Sequence, residues 1–353
     1  IVARRAEGHP LALEEFSYAL SAALALHGGV VGRAQANILV KAFDAPARLQ
    51  AMFLNRLDRL PSVRHVVECA AILGISFEAK DVAALMRDEK AVLAETLDTL
   101  VNANILVPQG DQAFRFRHAL LRDTVCETIP KADRVQLHAK AAQHLLASAE
   151  GAPPHDRIAH HFAAAGDTHQ AAVSFEAAGL RATQLAAHQE AIDHFEAALE
   201  MMQKAVEDHA SLTKQLELSR MIGAQMIAFR GHPTGEAEPL YLRTRNLALS
   251  LDNTEEVVRA DWGSWSAALL RADFANLSGY TQSIRDLATQ SPGSVWKPAV
   301  HFMEGVHALY TGAIELARTT LSAGVAACRS EDQLEYERLF GMDFSLTLRG
   351  YLA

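Results

Sequence analysis

Apolar positions recur at helical spacing along most of the chain. Leu49, Met52, Phe53, Leu57 and Leu60 share one side of a helix over 46–60, which Pro61 ends. Helices are also predicted over Val63–Leu73, Ala79–Met86 and Val92–Asn104, the last turning Leu93, Leu97, Leu100 and Val101 inward. At Phe114 and Phe116 the period changes to two, with Arg115 and Arg117 interleaved, which is strand spacing. Ile105-Leu-Val107 supplies a partner strand and Pro108-Gln-Gly-Asp111 a turn, so a hairpin is expected here. Ser76-Phe77-Glu78 reads as a short extended piece. From Ala119 the helical period returns through Leu120, Leu121, Val125, Cys126 and Ile129 and stops at Pro130. Several helices followed by a two-stranded wing is the order of a winged-helix unit, placed over 46–130.

From residue 131 to residue 353 no strand pattern is found, and the helices repeat. Ala171-Ala-Val-Ser-Phe175-Glu-Ala-Ala178 recurs as Ala191-Ile-Asp-His-Phe195-Glu-Ala-Ala198. A small residue, an aromatic and a small residue then share one helix face. Neighbouring helices approach closely while the ring fills the gap, as in tetratricopeptide helices. Similar turns fall at Arg230-Gly231, Arg271-Ala272 and Thr311-Gly312. The expectation is a right-handed solenoid of tetratricopeptide-like (TPR-like) helix pairs, with a concave face for a partner. Trp262, Trp265 and Trp296 are placed in packing between helices more readily than on that face. The first 45 residues hold another helix, begun at Pro10, with Leu11, Phe16, Leu20 and Ala23 on one face.

The composition agrees with an all-α fold: half of the 353 residues are apolar and alanine and leucine dominate. The net charge is −9 and no basic block occurs, so charge gives no ground for a nucleic-acid or membrane surface. Residues 46–130 carry 10 Lys plus Arg against 11 Asp plus Glu, too few positive charges for a DNA reader. Cys69, Cys126 and Cys328 are odd in number and far apart, which fits small hydrophobes in a reducing, cytoplasmic setting. No apolar run is long enough to span a membrane. His155, His160, His161 and His169 lack metal-ligand spacing and read as helix-surface residues. Adjacent acids, including Glu14-Glu15, Asp88-Glu89 and Glu255-Glu256, read as solvated. No phosphate loop, dinucleotide loop, nucleophile elbow or zinc-protease motif is present, so no reaction is assigned to this stretch. Its start at Ile1-Val-Ala-Arg-Arg and its end at Tyr351-Leu-Ala353 within a helical pattern suggest a piece of a longer protein.

His118 stands where the hairpin meets the helix, close to free backbone N–H groups that attract anions. By itself it reads as a histidine bonded to a carbonyl. The surrounding residues add to this. Gly8-His-Pro-Leu-Ala12 resembles the G-x-P-L-A motif at the end of the ATPase module of STAND-class signal-transduction ATPases. Pro46-Ala-Arg-Leu-Gln50, Arg56-Leu-Asp-Arg-Leu-Pro61 and Ala70-Ala-Ile-Leu-Gly74 are similar to the segment that follows it. Phe116-Arg-His-Ala-Leu-Leu-Arg-Asp123 resembles both the F-x-H-A-L motif of the bacterial members and the M-H-D-L-x-R-D motif of plant and animal relatives. Leu137-His138-Ala139, Ala159-His-His-Phe162 and Phe340-Gly-Met-Asp343 continue the resemblance. It is narrower still to bacterial proteins that join a class III adenylate or guanylate cyclase, such an ATPase module and a tetratricopeptide region.

That resemblance implies three parts. Residues 1–45 would be the C-terminal end of an ATPase (NB-ARC/AAA-like) module, 46–130 a winged-helix-like domain, and 131–353 a TPR-like domain. Pro10 would pack beside the adenine, and His118 would bond the β-phosphate of ADP in the resting state. Arg117 and Ala119 depart from the M-H-D pattern, which leaves the aspartate's role unassigned. ATP or ADP would bind the parent protein and not this stretch tightly. The expected partners are a protein or small-molecule signal on the solenoid and ATPase and cyclase domains in cis, and relatives in this class often oligomerise when activated. Two other readings are an ATP-dependent transcription activator of the same class and a freestanding tetratricopeptide scaffold.

Overall fold

The computed structural model describes residues 54–55, 57–86, 92–149, 151–204, 208–230, 237–290 and 295–353. The expected ATPase remnant over 1–45, Pro10, and most of the helix over 46–60 lie outside them. Among the described residues the protein is all-α with a small β wing. It divides into two compact units, 1–167 and 168–353.

The first unit begins with α1 (Arg64–Leu73), followed by β1 (Ser76–Glu78), α2 (Ala79–Leu85) and α3 (Leu93–Asn102). Next come β2 (Leu106–Pro108), β3 (Ala113–Phe116), α4 (Ala119–Thr128), α5 (Lys131–Ala147) and α6 (His155–Ala165). The predicted hairpin is β2–β3, antiparallel, with Val107 opposite Arg115. The extended piece at 76–78 joins it as a third strand, with Phe77 opposite Phe114, giving the order β1-β3-β2. Alternation sends Phe116 fully inside while Arg115 stays exposed.

Helix α1 is the centre of this unit. Val67, Cys69, Ala70, Ala71 and Ile72 are buried all round it, so neighbours pack on every side. Small residues at 69–71 permit that close approach. A helix end leaves carbonyls without intrahelical partners. Here Ala71 O accepts from Arg122 Nε at 2.9 Å and from Cys126 Sγ at 3.4 Å, and Leu73 O accepts from Arg157 Nη2 at 3.2 Å. Side chains of α4 and α6 therefore close the C-terminus of α1. Helix α5 lies on α1 and α2, and His144 Nε2 meets the Asp81 carboxylate at 2.9 Å. That packing carries the compact unit past residue 130 to Asp167.

The second unit runs through α7 (Thr168–Gln184), α8 (His188–Gln203), α9 (His209–Arg230), α10 (Glu238–Ser250) and α11 (Thr254–Leu270). It continues with α12 (Phe274–Gln290), α13 (Lys297–Tyr310), α14 (Ile314–Ala327), α15 (Gln333–Phe340) and α16 (Phe344–Leu352). From α7 to α14 each helix packs on the next in sequence, the arrangement of a helical repeat. The repeated Ala-x3-Phe-x2-Ala positions all face inward. Phe195 lies on Gly179, where a Cβ would come within 2.5 Å of its ring. Tyr241 lies on Gly263 and Leu321 on Gly305 in the same way.

Four helices of this unit stop by a shared backbone device. At Ala186, Asp252, Ala272 and Gly312 the chain turns to positive φ. The N–H of that residue and the next then bond back to carbonyls three and five residues earlier, as in Ala272 N to Leu269 O (3.0 Å) and Asp273 N to Ala268 O (2.9 Å). This is the Schellman closure. Gly166 and Asn104 in the first unit do the same. The turns expected at 271–272 and 311–312 are two of these sites; Gly231 lies outside the described residues.

Candidate functional site

His118 is the N-cap of α4, extended at φ −136°, ψ 138°, and half-buried. Its place is set by the strand before it. Phe116 N donates to Ile75 O at 2.8 Å and Arg117 N to Ile105 O at 3.0 Å. Arg117 Nη2 also donates to Asn104 Oδ1 at 3.0 Å. The His118 carbonyl then accepts the first bond of the helix, from Leu121 N at 3.1 Å. The imidazole is thus held beside a helix N-terminus whose first turn has no acid. Pro10, the other predicted site residue, lies outside the described residues.

A second histidine site was not legible as such. His160 is exposed, as expected for the histidine-rich stretch, but His161 is buried and faces α5. Neighbours on a helix diverge by about 100°, so two adjacent histidines can face different surroundings, and here His161 turns inward. His161 Nδ1 lies 2.9 Å from His138 Nδ1. One ring must donate and the other accept, which requires at least one neutral imidazole. Burial lowers both pKa values to about 4, helped by Arg122 and Arg134 around His138, and by His138, Arg157, Arg122 and His160 around His161.

A histidine whose folded pKa lies below its unfolded value binds fewer protons folded than unfolded in between. Stability should therefore fall as pH drops from about 6.5 towards 4, by up to about 1.4 kcal/mol per pH unit for each proton. Melting temperatures between pH 7.5 and 4.5 test this. His161→Gln should flatten the loss, and an unchanged slope in that variant would count against the pair as its source.

In the second unit the polar groups of α11 are set inside. Asp261 is fully buried, and its carboxylate accepts from Arg245 Nε at 2.8 Å and Ser283 Oγ at 2.6 Å. Burial raises its pKa against the opposing pull of Ser283 and Arg245. Glu255 and Glu256, expected as a solvated pair, are divided by the helix. Glu255 takes a two-pronged bond from Arg338 at 2.6 and 2.9 Å, which holds its pKa below the ordinary value. Glu256 is only 5% exposed, because its backbone N–H is tied to the Asn253 side chain at the start of α11 and its side chain turns inward.

Glu256 lies at the polar end of a half-open cavity of about 900 Å³ between α9, α10, α11 and the end of α15. Leu240, Tyr241, Trp262, Leu339, Phe340 and Met342 form much of the apolar wall. Trp262 also stacks on Trp265 and meets Phe340 edge-on, so its other face belongs to the core, where Trp265 is wholly buried. Among the described residues no group of three or more His, Cys, Asp and Glu is placed to hold a metal ion, and no helix is long and apolar enough to cross a membrane. Cys69 is buried and its thiol is pushed up to about 12, far from a reactive thiolate.

Fold and sites together define an all-α chain whose second unit is a helical repeat. No family model matches the chain. Over 252 residues it is 27% identical to an uncharacterized protein of Rhizobium meliloti (strain 1021). The match covers 69% of this chain and 24% of that protein, so the chain spans about a quarter of the length of the relative it matches.

Proposed function

We propose that this chain is the regulatory and sensing part of a STAND-class signal-transduction ATPase, controlling a class III adenylate or guanylate cyclase from the cytoplasm. The observation that carries the reading is the placement of His118. A three-stranded sheet pins the chain and delivers this histidine to the N-cap of a helix, where N–H groups and an imidazole together suit a phosphate. The helical repeat that follows supplies a surface for the signal, and the much greater length of the relative is compatible with a multidomain parent. In this reading ADP bound upstream would be held by His118 in the closed state. A ligand of the repeat would favour the open state only through higher affinity for it. The chain itself catalyses nothing in this scheme.

The test is the nucleotide content of the parent protein, with His118 intact and with His118→Ala. ADP should copurify with the first and be lost, or exchange faster, in the second, with a change in basal cyclase output. Equal nucleotide content, equal exchange and equal output would overturn the proposal.

A further inference from the structure

We infer that the cavity between α9, α10, α11 and α15 binds a small amphipathic molecule: an apolar body with an N–H or O–H donor at its head. The inference rests on reading the helical repeat as the sensor, and it names the chemistry of what is sensed. Two independent observations support it. The first is the space itself: about 900 Å³, half-open and walled mainly by apolar side chains, which is the size and character of a small-molecule site. The second is Glu256. Its side chain is buried, and among the described residues its Oε2 has no hydrogen-bond partner. Such an acceptor is costly to leave unpaired.

The arginines beside Glu256 do not complete it. Arg220 Nε is 3.6 Å and Arg259 Nη1 3.7 Å from Oε1, beyond hydrogen-bond range, and both lie on the same oxygen. Arg259 is drawn instead to Glu255, at 3.1 Å. Arg220 is half-exposed and can swing aside. Glu256 Oε2 is closed off from solvent, so with Arg220 turned away a donor entering along the apolar wall would reach the carboxylate and give it its missing bond. An anion would compete with Glu256 for the same two arginines and leave a buried carboxylate uncompensated. The site therefore selects donors over carboxylates. Tyr241, lying flat on Gly263, fixes one wall, since a Cβ there would come within 2.4 Å of its ring.

The test is titration of the chain with 1-octanol, n-octylamine and octanoate, followed by calorimetry and tryptophan emission, with Trp262 in the wall as reporter. The alcohol, the amine or both should bind at one per chain, and octanoate at least about tenfold more weakly, the worth of one charge-assisted bond. Glu256→Gln should erase that preference. Ala224→Trp, on the exposed rim of α9, should block binding while leaving the melting temperature unchanged. Binding by none of the three, equal binding of octanoate, or wild-type binding by both variants would overturn the inference. Nucleotide exchange by the parent protein, measured with the bound probe, separates the two proposals. Binding without any effect on exchange leaves the site standing and removes the sensor role. An effect of His118→Ala on ADP with no probe binding does the reverse.

Discussion

Arg245→Met is expected to cost about 3 kcal/mol, the low end of the penalty for removing one member of a buried ion pair, because Asp261 is buried but Arg245 is a third exposed. Asp261 is wholly buried on α11, and Arg245 from α10 and Ser283 from α12 are its partners. Without the guanidinium, the carboxylate keeps a single hydroxyl donor in a low-dielectric site. Its pKa, already raised by burial, should rise further. A group with a raised folded pKa keeps a proton that the unfolded chain releases above about pH 4, so the variant should lose stability as pH rises. The penalty should be smaller at pH 5 than at pH 8. Adding Asp261→Asn to Arg245→Met should recover part of it, because the charge is then gone. Chemical denaturation of the single and double variants at both pH values measures this. A penalty under about 1 kcal/mol, the range of surface pairs, would mean that Asp261 is solvated and not bound between three helices.

Phe195→Ala should cost at least as much, about 3–5 kcal/mol, with a void left between α7 and α8. The ring is buried and rests on Gly179, which has no side chain of its own to refill the space. The reciprocal change, Gly179→Ala, sets two effects against each other. Alanine favours a helix over glycine by about 1 kcal/mol. Its Cβ would stand 2.5 Å from the ring, and overpacking costs about 1–3 kcal/mol. The clash should win, giving net destabilisation. On a Phe195→Leu background, where the ring is absent, the same Gly179→Ala change should cost less or become favourable. The sign of that coupling in a double-mutant cycle is the measurement. Additive effects would show that the two residues do not touch.

Much of this fold was legible because it rests on local periodicity. The switch from helical to alternating spacing at Phe114–Phe116 located β3, and the Ala-x3-Phe-x2-Ala repeat identified two adjacent helices and their shared inward face. The turns at Ala272 and Gly312 were also legible. The third strand was seen only as an extended piece: Ser76–Glu78 joins β3 across some thirty-five residues of chain, and pairing at that distance leaves no trace in a local pattern. The same limit applies to the sites. His118 was found because it sits at a change of period. His161, Asp261 and Glu256 were not, because an isolated polar residue in a helix has the same appearance whether it faces solvent or core. Its partner, not its own spacing, decides the matter: His138 from another helix, Arg245 from the preceding one, and for Glu256 a cavity assembled by four. The one available hint was adjacency. In His160-His161 and Glu255-Glu256 the helix turns two like residues in different directions, so one of each pair could face inward although both were read as solvated.

The backbone closures that end the helices bear on how such a chain can diverge. Among the described helices of the second unit, Asp208, Asn253 and Asp343 give side-chain caps, while the repeated stops are made by main-chain N–H and C=O groups. Their positive-φ position is filled here by glycine, aspartate and alanine. Alanine there costs about 1–2 kcal/mol relative to its right-handed form, so residue identity is a secondary matter at these points. What must be preserved is the count of residues between one stop and the next, which sets which face of each helix meets its neighbour. Substitutions can then accumulate widely across the repeat, whereas a single inserted or deleted residue within a helix rotates everything beyond it by about 100° and uncouples pairs such as Gly179 with Phe195.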